Sequence, residues 1–284
     1  MPNREEPRQA SARETAANAE RLRKQGDLEA ALQLFDEALR KQPDYLWAEA
    51  HRAEVLRALF RFEEAVAGFT RVLASLPDYL WARAHRGAAF YYLRRYDAAL
   101  DDLNAVIAAR ADYVWALAYR PHVTIALKRY DEALADVDAF LALDPSLLPN
   151  QEGERGMLLN YLGRFEESVP LCDQGLAKDK NDFIAAYTRT VALAQLKGVA
   201  AAPIAATRAL LQRLRRAGSG DPGLIDYRLG GCAALEGRRD EALACLRSAI
   251  NLHHEPIETA RHDPAWHALH DDAGYRALIA PAEV

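Results

Sequence analysis

Three tryptophans each stand four residues before a second ring-bearing side chain. The three pairs are Trp47 and His51, Trp81 and His85, and Trp115 and Tyr119. Stacked rings can hold the side chains of a ligand, and an imidazole can also donate, accept or bind a proton near neutral pH. Catalysis would further need a nucleophile, or a carboxylate that orients the imidazole, and no such motif accompanies these histidines. The pattern therefore predicts binding, and we expect no enzyme activity.

A second cluster of possible ligands lies near the end of the chain, where five histidines fall between residues 253 and 270. They are His253, His254, His262, His267 and His270. His267 and His270 are spaced to share one helical face, with Asp263 and Asp271 close in sequence, so a metal site is one interpretation. Structural zinc sites have tighter ligand patterns than this one, and we therefore predict neither a metal ion nor a cofactor.

Composition argues against several classes of partner. A net charge of −5 and a pI near 5.9 provide no positive field for a nucleic-acid backbone. No stretch has the apolar content of a membrane span or of a signal peptide. Three cysteines, an odd number without metal-ligand spacing, argue against a disulfide framework. The sequence predicts a cytoplasmic protein that binds neither nucleic acid nor membrane.

The tryptophan pairs belong to a longer repeat of 34 residues. PDYLWAEAHRAEVL at 43–56 aligns without gaps with PDYLWARAHRGAAF at 77–90, and ADYVWALAYRPHVT follows at 111–124. A short turn and a second amphipathic segment, such as RFEEAVAGFTRVL, complete each unit. Each unit is therefore predicted to be two helices, and a repeat of this length indicates a stacked array.

A small residue recurs at one position of the second helix, where close helix packing requires it. The positions are Ala31, Ala65, Ala99, Ala133, Ser168, Ala202 and Ala242. With these residues the sequence resembles the tetratricopeptide repeat (TPR) family. The resemblance implies an all-α fold in which helix pairs form a right-handed α-α superhelix, the TPR solenoid.

The expected organisation is about seven repeats over residues 12–254, beginning near residues 12, 46, 80, 114, 149, 183 and 223. Residues 1–11 are predicted to be a disordered tail, and the stretch 215–222, which contains Gly, Ser and Pro, is predicted to be a flexible linker. Residues 255–284 resemble the capping helices of bacterial repeat arrays. Five residues there have the spacing to cover the last repeat: Trp266, Leu269, Tyr275, Leu278 and Ile279.

Four arginines recur just before the small position of the first helix. They are Arg52, Arg86, Arg120 and Arg189. Arg86 and Arg120 are predicted to pair with Asp102 and Asp136 of their own units. Arg52 and Arg189 lack such a matching aspartate, which leaves them available to a partner.

In TPR proteins the first helices line a concave groove, and the resemblance implies that a ligand lies along it. That helix face, read at steps of three and four residues, gives an aromatic ladder suited to an extended peptide. The predicted peptide-binding residues are Trp47, His51, Glu54, Arg57, Trp81, His85, Tyr91, Tyr92, Trp115, Tyr119, His122, Asn160 and Tyr161. The alternative for the tryptophans is that they seal the junctions between adjacent units.

The leading hypothesis is a non-catalytic scaffold or adaptor, of bacterial type, that binds an extended segment of a partner protein in this groove. The alternatives are an accessory or regulatory subunit of an enzyme encoded elsewhere, and binding of a small molecule or glycan by the aromatic residues. We expect a monomer or a weak homodimer, because the first helix leaves an edge that another copy could cover.

Overall fold

Helices dominate the computed structural model, as expected for a chain rich in alanine, leucine, arginine and glutamate. The structure describes residues 5–143, 150–252 and 256–280, and within these ranges no strand occurs. Most helices pack on the helices next to them in sequence, which confirms the predicted all-α class built from helix pairs. The chain divides into two compact units, Met1–Leu127 and Lys128–Val284.

The first unit contains three complete helix pairs and the first helix of a fourth. Its helices are α1 (Glu5–Gln25), α2 (Leu28–Lys41), α3 (Leu46–Ala58), α4 (Phe62–Ser75), α5 (Leu80–Tyr92), α6 (Tyr96–Ala109) and α7 (Val114–Ala126). Apolar residues at steps of three and four create one buried stripe on each second helix, as Ala65, Phe69 and Val72 do on α4. These stripes join in one core cluster that runs from α1 to α5.

The second unit continues the same pattern. Its helices are α8 (Tyr130–Leu143), α9 (Gln151–Tyr161), α10 (Phe165–Lys178), α11 (Phe183–Lys197), α12 (Ile204–Ala217), α13 (Pro222–Leu235), α14 (Arg239–Leu252), α15 (Pro256–His262) and α16 (Ala273–Ile279). Short 3₁₀ helices span Val199–Ala201 and Pro264–Leu269. The terminal segment packs on this unit through Trp266, which is fully buried, and through Tyr275, whose hydroxyl donates to the Ala260 carbonyl.

The small position of the second helix is the fourth residue of each one, and Ala65, Ala99 and Ser168 are fully buried there. Ala202 was predicted to hold this position in the sixth pair, but it lies before α12. The fourth residue of α12 is Thr207, whose Oγ1 lies 2.7 Å from Thr190 Oγ1. The prediction was wrong because residues 198–203 lengthen the turn inside this pair.

The connection between α12 and α13 is shorter than the predicted linker 215–222. Helix α12 continues to Ala217, and Gly218 ends it with a left-handed φ of 64°. Asp221 then caps α13 by accepting from the Leu224 amide at 2.8 Å. The connection is therefore residues 218–221, the same length as the ordinary connection 76–79, and the extra residues of this region lie in the turn 198–203.

Of the stretch 1–11 predicted to be a disordered tail, residues 5–11 belong to α1, which begins at Glu5, and residues 1–4 lie outside the described part of the chain. Among residues 10–25 of α1 most exposed side chains are polar, including Arg13, Glu14 and Asn18, while Ala12 and Ala16 are fully buried. A polar outer face closes the end of a helical array to solvent.

Candidate functional site

Six rings of the first unit form one continuous column, which we call the ring stack. In order they are Trp47, His51, Trp81, His85, Trp115 and Tyr119. Successive ring centroids are 4.1, 4.9, 4.2, 4.5 and 4.7 Å apart. Three of these separations lie at the close end of the usual range for aromatic pairs, and the two of 4.1 and 4.2 Å, within one helix each, lie just below it. The structure thus brings the predicted aromatic ladder together.

The 34-residue repeat produces this column directly. Each tryptophan is the second residue of a first helix, and its partner ring follows one turn later on the same face. Contacts between helices complete the column: His51 of α3 lies on Trp81 of α5, and His85 lies on Trp115 of α7. The stack rests on fully buried phenylalanines of the second helices, since Phe35 and Phe69 lie 6.2 and 6.0 Å from Trp47 and Trp81.

The tryptophans therefore seal the junctions between helix pairs and also keep part of their surface accessible. Trp47, at the free end of the stack, is 36 % exposed. Trp81, Trp115 and Tyr119 are half-buried, whereas His85 is buried. The two interpretations left open by the sequence are thus compatible for these rings.

Beside the stack, Glu54 is the centre of a buried polar network. It accepts two hydrogen bonds from Arg57, at 2.8 and 2.9 Å, and its Oε2 lies 2.8 Å from His85 Nδ1. Arg57 in turn lies over the Trp115 ring, 5.5 Å from its centroid. Burial by itself would raise the pKa of Glu54, but the bonds from Arg57 and His85 outweigh burial and hold the pKa at about 2.

A similar but looser arrangement occurs 34 residues earlier. Glu20 accepts two hydrogen bonds from Arg23, and its Oε2 lies 3.5 Å from His51 Nδ1, which forms no hydrogen bond to any described residue. Burial lowers the pKa of His51, and the charge of Glu20 opposes that effect. In the next repeat the three equivalent positions hold Ala88, Tyr91 and Tyr119, which lack the charged groups of this arrangement. Glu54, Arg57 and His85 use their polar atoms on one another and support the stack from beneath.

The remaining predicted residues of the first unit lie beyond the stack, towards the ends of α5 and α7. Tyr92 stacks face to face on Phe62, with centroids 4.7 Å apart and planes 9° apart. Tyr91 is buried and lies 6.0 Å from the exposed His122. Together these side chains form a second aromatic group on the same helices.

Phe60 is an exposed aromatic residue that the sequence reasoning missed. It is 69 % exposed, lies 6.0 Å from Phe62, and has a left-handed φ of 61°. The equivalent turn position also has a left-handed φ in other pairs, where it holds Gly26, Arg94, Lys128 and Gly163. The signal in the sequence was a phenylalanine at a turn position that otherwise holds glycine or a basic residue.

Asn160 and Tyr161 belong to the second unit, unlike the other predicted site residues. The Asn160 side-chain amide donates to the Thr188 carbonyl at 2.9 Å and is buried. Tyr161 lies 5.6 Å from Tyr130, and burial raises its pKa well above the usual value. Near them Asp263 is buried and accepts hydrogen bonds from two tyrosine hydroxyls. These contacts support the packing of the terminal segment.

The recurring arginines have partners that the sequence reasoning did not find. Each arginine side chain donates a hydrogen bond to the side chain of the residue sixteen positions earlier, which lies on the preceding second helix. The pairs are Arg52 with Asp36, Arg86 with Thr70, Arg120 with Asn104, and Arg189 with Asp173. Arg86 also makes the predicted ion pair with Asp102, at 2.7 and 2.8 Å. The expectation that Arg52 and Arg189 are available to a ligand was wrong.

No metal-binding cluster of three or more His, Cys, Asp or Glu side chains occurs in the described part of the chain. His267 and His270 do lie together, with ring centroids 5.0 Å apart, while His253 and His254 fall outside the described residues. Among the described ranges, every helix is too short or too polar to span a bilayer. Burial raises the pKa of the Cys172 thiol to about 12, which makes this cysteine a poor nucleophile.

Comparisons with known proteins agree with the repeat. The family model described as "Tetratricopeptide repeat" matches residues 22–89. A solved tetratricopeptide repeat protein from Parabacteroides merdae ATCC 43184 is similar with a TM-score of 0.70 and 17 % identity, covering 90 % of this chain and 99 % of that one. MamA from Desulfovibrio magneticus RS-1 is similar with a TM-score of 0.55 and 19 % identity, covering 60 % and 95 %. No curated protein sequence matches this chain.

Proposed function

Because this chain is a tetratricopeptide repeat protein, we propose that it is a non-catalytic scaffold that binds an extended segment of a partner protein along the ring stack. Its fold is one that generally serves protein interaction. The observation that carries the proposal is the continuous column of six rings, partly exposed and repeated with the period of the helix pairs.

The repetition of the rings favours an extended polypeptide as the ligand. The rings repeat along the stack at a nearly constant distance, and the side chains of an extended polypeptide also repeat at a constant distance, so the two can match. Indole and imidazole rings offer large flat contact areas and lose little side-chain freedom when a ligand binds. The network around Glu54 supports this role, since it fixes the rings in position before any ligand arrives.

We further propose that the protein acts in the cytoplasm, because Cys172, Cys232 and Cys245 are free thiols. It also includes a monomer as the binding species, because the outer face of α1 is polar. Neither a cofactor nor a nucleic acid takes part in the proposed interaction.

A peptide-display selection on the full chain, followed by affinity measurement of the recovered peptides, tests the proposal. Trp47→Ala removes the most exposed ring and leaves the other five in contact, so we expect it to weaken binding by at least ~10-fold while the helix content stays unchanged. Phe60→Ala is the matched control, since it removes an even more exposed aromatic ring that lies outside the stack. We expect that control to change the affinity less than about twofold.

Three results would contradict the proposal. Peptides whose affinity depends on Phe60 and not on Trp47 would place the binding surface at the turns between paired helices. Failure of every peptide to bind, together with tryptophan fluorescence that responds to oligosaccharides, would favour the glycan alternative. A partner that binds equally to wild type and Trp47→Ala would favour the accessory-subunit alternative, with docking on the second helices.

A further inference from the structure

The three loops that enter the first helices of the ring stack share one local sequence. They read PDYLW at 43–47, PDYLW at 77–81 and ADYVW at 111–115. In each loop the aspartate is exposed. The tyrosine ring lies beside the tryptophan of the stack, with centroids 5.9 Å apart for Tyr45 and Trp47 and for Tyr79 and Trp81. Each loop therefore places a carboxylate and a tyrosine ring at the edge of the stack; we call each such pair an Asp–Tyr site.

In the third Asp–Tyr site the chain supplies its own cation. The guanidinium carbon of Arg110 lies 4.1 Å from the centroid of the Tyr113 ring, and Arg110 Nε is 4.0 Å from Asp112 Oδ1. Tyr113 is only 8 % exposed. A guanidinium over an aromatic face with a carboxylate beside it is a favourable arrangement, because the ring quadrupole and the negative charge both attract the cation.

The first two Asp–Tyr sites lack this cation. The residues equivalent to Arg110 are Gln42 and Leu76, and Leu76 is 44 % exposed. Tyr45 and Tyr79 are half-buried and so are less covered than Tyr113. Among the residues that the structure describes, the carboxylates of Asp44 and Asp78 have neither a hydrogen-bond nor an ion-pair partner.

The distance between these two sites limits how far apart the two binding side chains of a ligand can be. The Trp47 and Trp81 rings are separated by one imidazole, with centroid steps of 4.1 and 4.9 Å, so these two rings are at most about 9 Å apart. Because each tyrosine lies at the same 5.9 Å from its own tryptophan, we infer a similar distance between the two sites. An extended segment in the polyproline II conformation advances about 3.1 Å per residue with three residues per turn. Side chains three residues apart therefore lie on one face of the segment, about 9 Å from each other, and can reach both sites.

We propose that Asp44 with Tyr45, and Asp78 with Tyr79, bind two arginine side chains of the partner, which carries them three residues apart in an extended segment. This inference rests on the proposed function and adds the chemical class of the ligand. Charge complementarity supports it, since the chain carries a net charge of −5 and these two carboxylates are not neutralised within the described structure. Arginine is preferred over lysine because its planar guanidinium stacks on the tyrosine ring.

The decisive variant fills the second Asp–Tyr site with an arginine of the chain itself. Leu76→Arg introduces at the second site the residue that Arg110 provides at the third, at a position exposed enough to accept it. Synthetic peptides of the form R-x-x-R, with lysine and alanine versions, are titrated into the full-length chain by calorimetry. We expect Leu76→Arg to weaken R-x-x-R binding about tenfold, and Leu76→Met, its matched control, to leave the affinity within about twofold.

A second pair of variants tests the charges. Asp44→Asn with Asp78→Asn should weaken R-x-x-R binding more than tenfold and reduce its dependence on salt, because the loss removes both carboxylates. Asp101→Asn is the control, since Asp101 is an exposed carboxylate on α6 outside the loops. Replacing both peptide arginines with lysine should weaken binding by about threefold or more.

Three results would overturn the inference. Binding of the R-x-x-R peptide that is unaffected by Leu76→Arg and by the two aspartate changes would place its arginines elsewhere. Selected peptides that depend on Trp47 and lack arginine would uphold the proposed function and refute the arginine sites. Absence of binding by every peptide would remove both proposals together.

Discussion

Glu54→Gln tests whether the buried network beneath the ring stack stabilises the first unit. Glutamine keeps the size of the side chain and one acceptor oxygen, but it removes the negative charge that Arg57 and His85 contact. The Glu54 side chain is buried, so water cannot replace the lost interaction. The guanidinium of Arg57, which lies over the Trp115 ring, would then be left beside a neutral amide.

The pKa of Glu54 gives the expected size of the effect. The contacts lower the pKa from 4.5 to about 2, and each unit corresponds to about 1.4 kcal/mol, so the charged carboxylate contributes about 3 kcal/mol at pH 7. Since the folded chain has the lower pKa, the unfolded chain takes up a proton first as the pH falls. The contribution is complete above about pH 4.5, and it falls to about 1.5 kcal/mol near pH 3 and further towards pH 2.

Urea unfolding of wild type and Glu54→Gln between pH 7 and pH 3 measures this contribution. Glu64→Gln is a matched control, because Glu64 accepts the same two-bond contact from Arg61, at 2.7 and 2.8 Å, but at an exposed site where the contact stabilises little. The reasoning is refuted if Glu54→Gln destabilises no more than Glu64→Gln, or if its effect is the same at pH 7 and pH 3.

Two further variants address packing and backbone conformation. Gly231→Ala would place a methyl group against the Tyr187 hydroxyl and 2.8 Å from Tyr187 Cζ, so it should destabilise the chain by about 2–4 kcal/mol as Tyr187 moves away from Asp263. Adding Tyr187→Phe should recover part of that loss in thermal melting; an additive double variant would show that the clash lies elsewhere. Phe60→Gly should raise the stability by about 0.5–1 kcal/mol, because glycine adopts the φ of 61° without strain. An unchanged or lower melting temperature would mean that the contact of Phe60 with Phe62 outweighs the strain.

The ring stack could be predicted because it depends only on the repeat. Once residues 43–56 and 77–90 align, a shared helix face follows from the helical period, and the tryptophans of successive pairs must lie in register. The fold class followed for the same reason. Local sequence and packing agree in the first unit, where the pairs α3–α4 and α5–α6 have the same helix lengths.

The arginine partners could not be predicted from the same alignment. The repeat predicts an aspartate within the arginine's own pair, and Arg86 does contact Asp102. Arg52 instead contacts Asp36 on the preceding second helix, and Arg189 contacts Asp173 in the same way. Which neighbouring helix faces a side chain is decided by three-dimensional packing and not by the repeat length.

The sequence also did not decide where the extra residues of the sixth pair lie. The Gly, Ser and Pro content of 215–222 indicated a loop, whereas an alanine-rich stretch at 200–202 resembled a helix. Pro203 precedes α12 and ends the turn, so the helix starts at Ile204 and Thr207 takes the small position. A hydroxyl that bonds to Thr190 is acceptable there, although alanine is the usual residue.

The central claim, that a partner segment lies on the ring stack, is tested most directly by the four indole N–H signals of the chain in a nitrogen-15 NMR titration. Three of the tryptophans belong to the stack, and the fourth, Trp266, is fully buried in the second unit. On addition of a selected peptide, we expect the signals of Trp47 and Trp81 to shift until saturation while the signal of Trp266 stays in place. Saturating binding that moves none of the three stack signals would contradict the account.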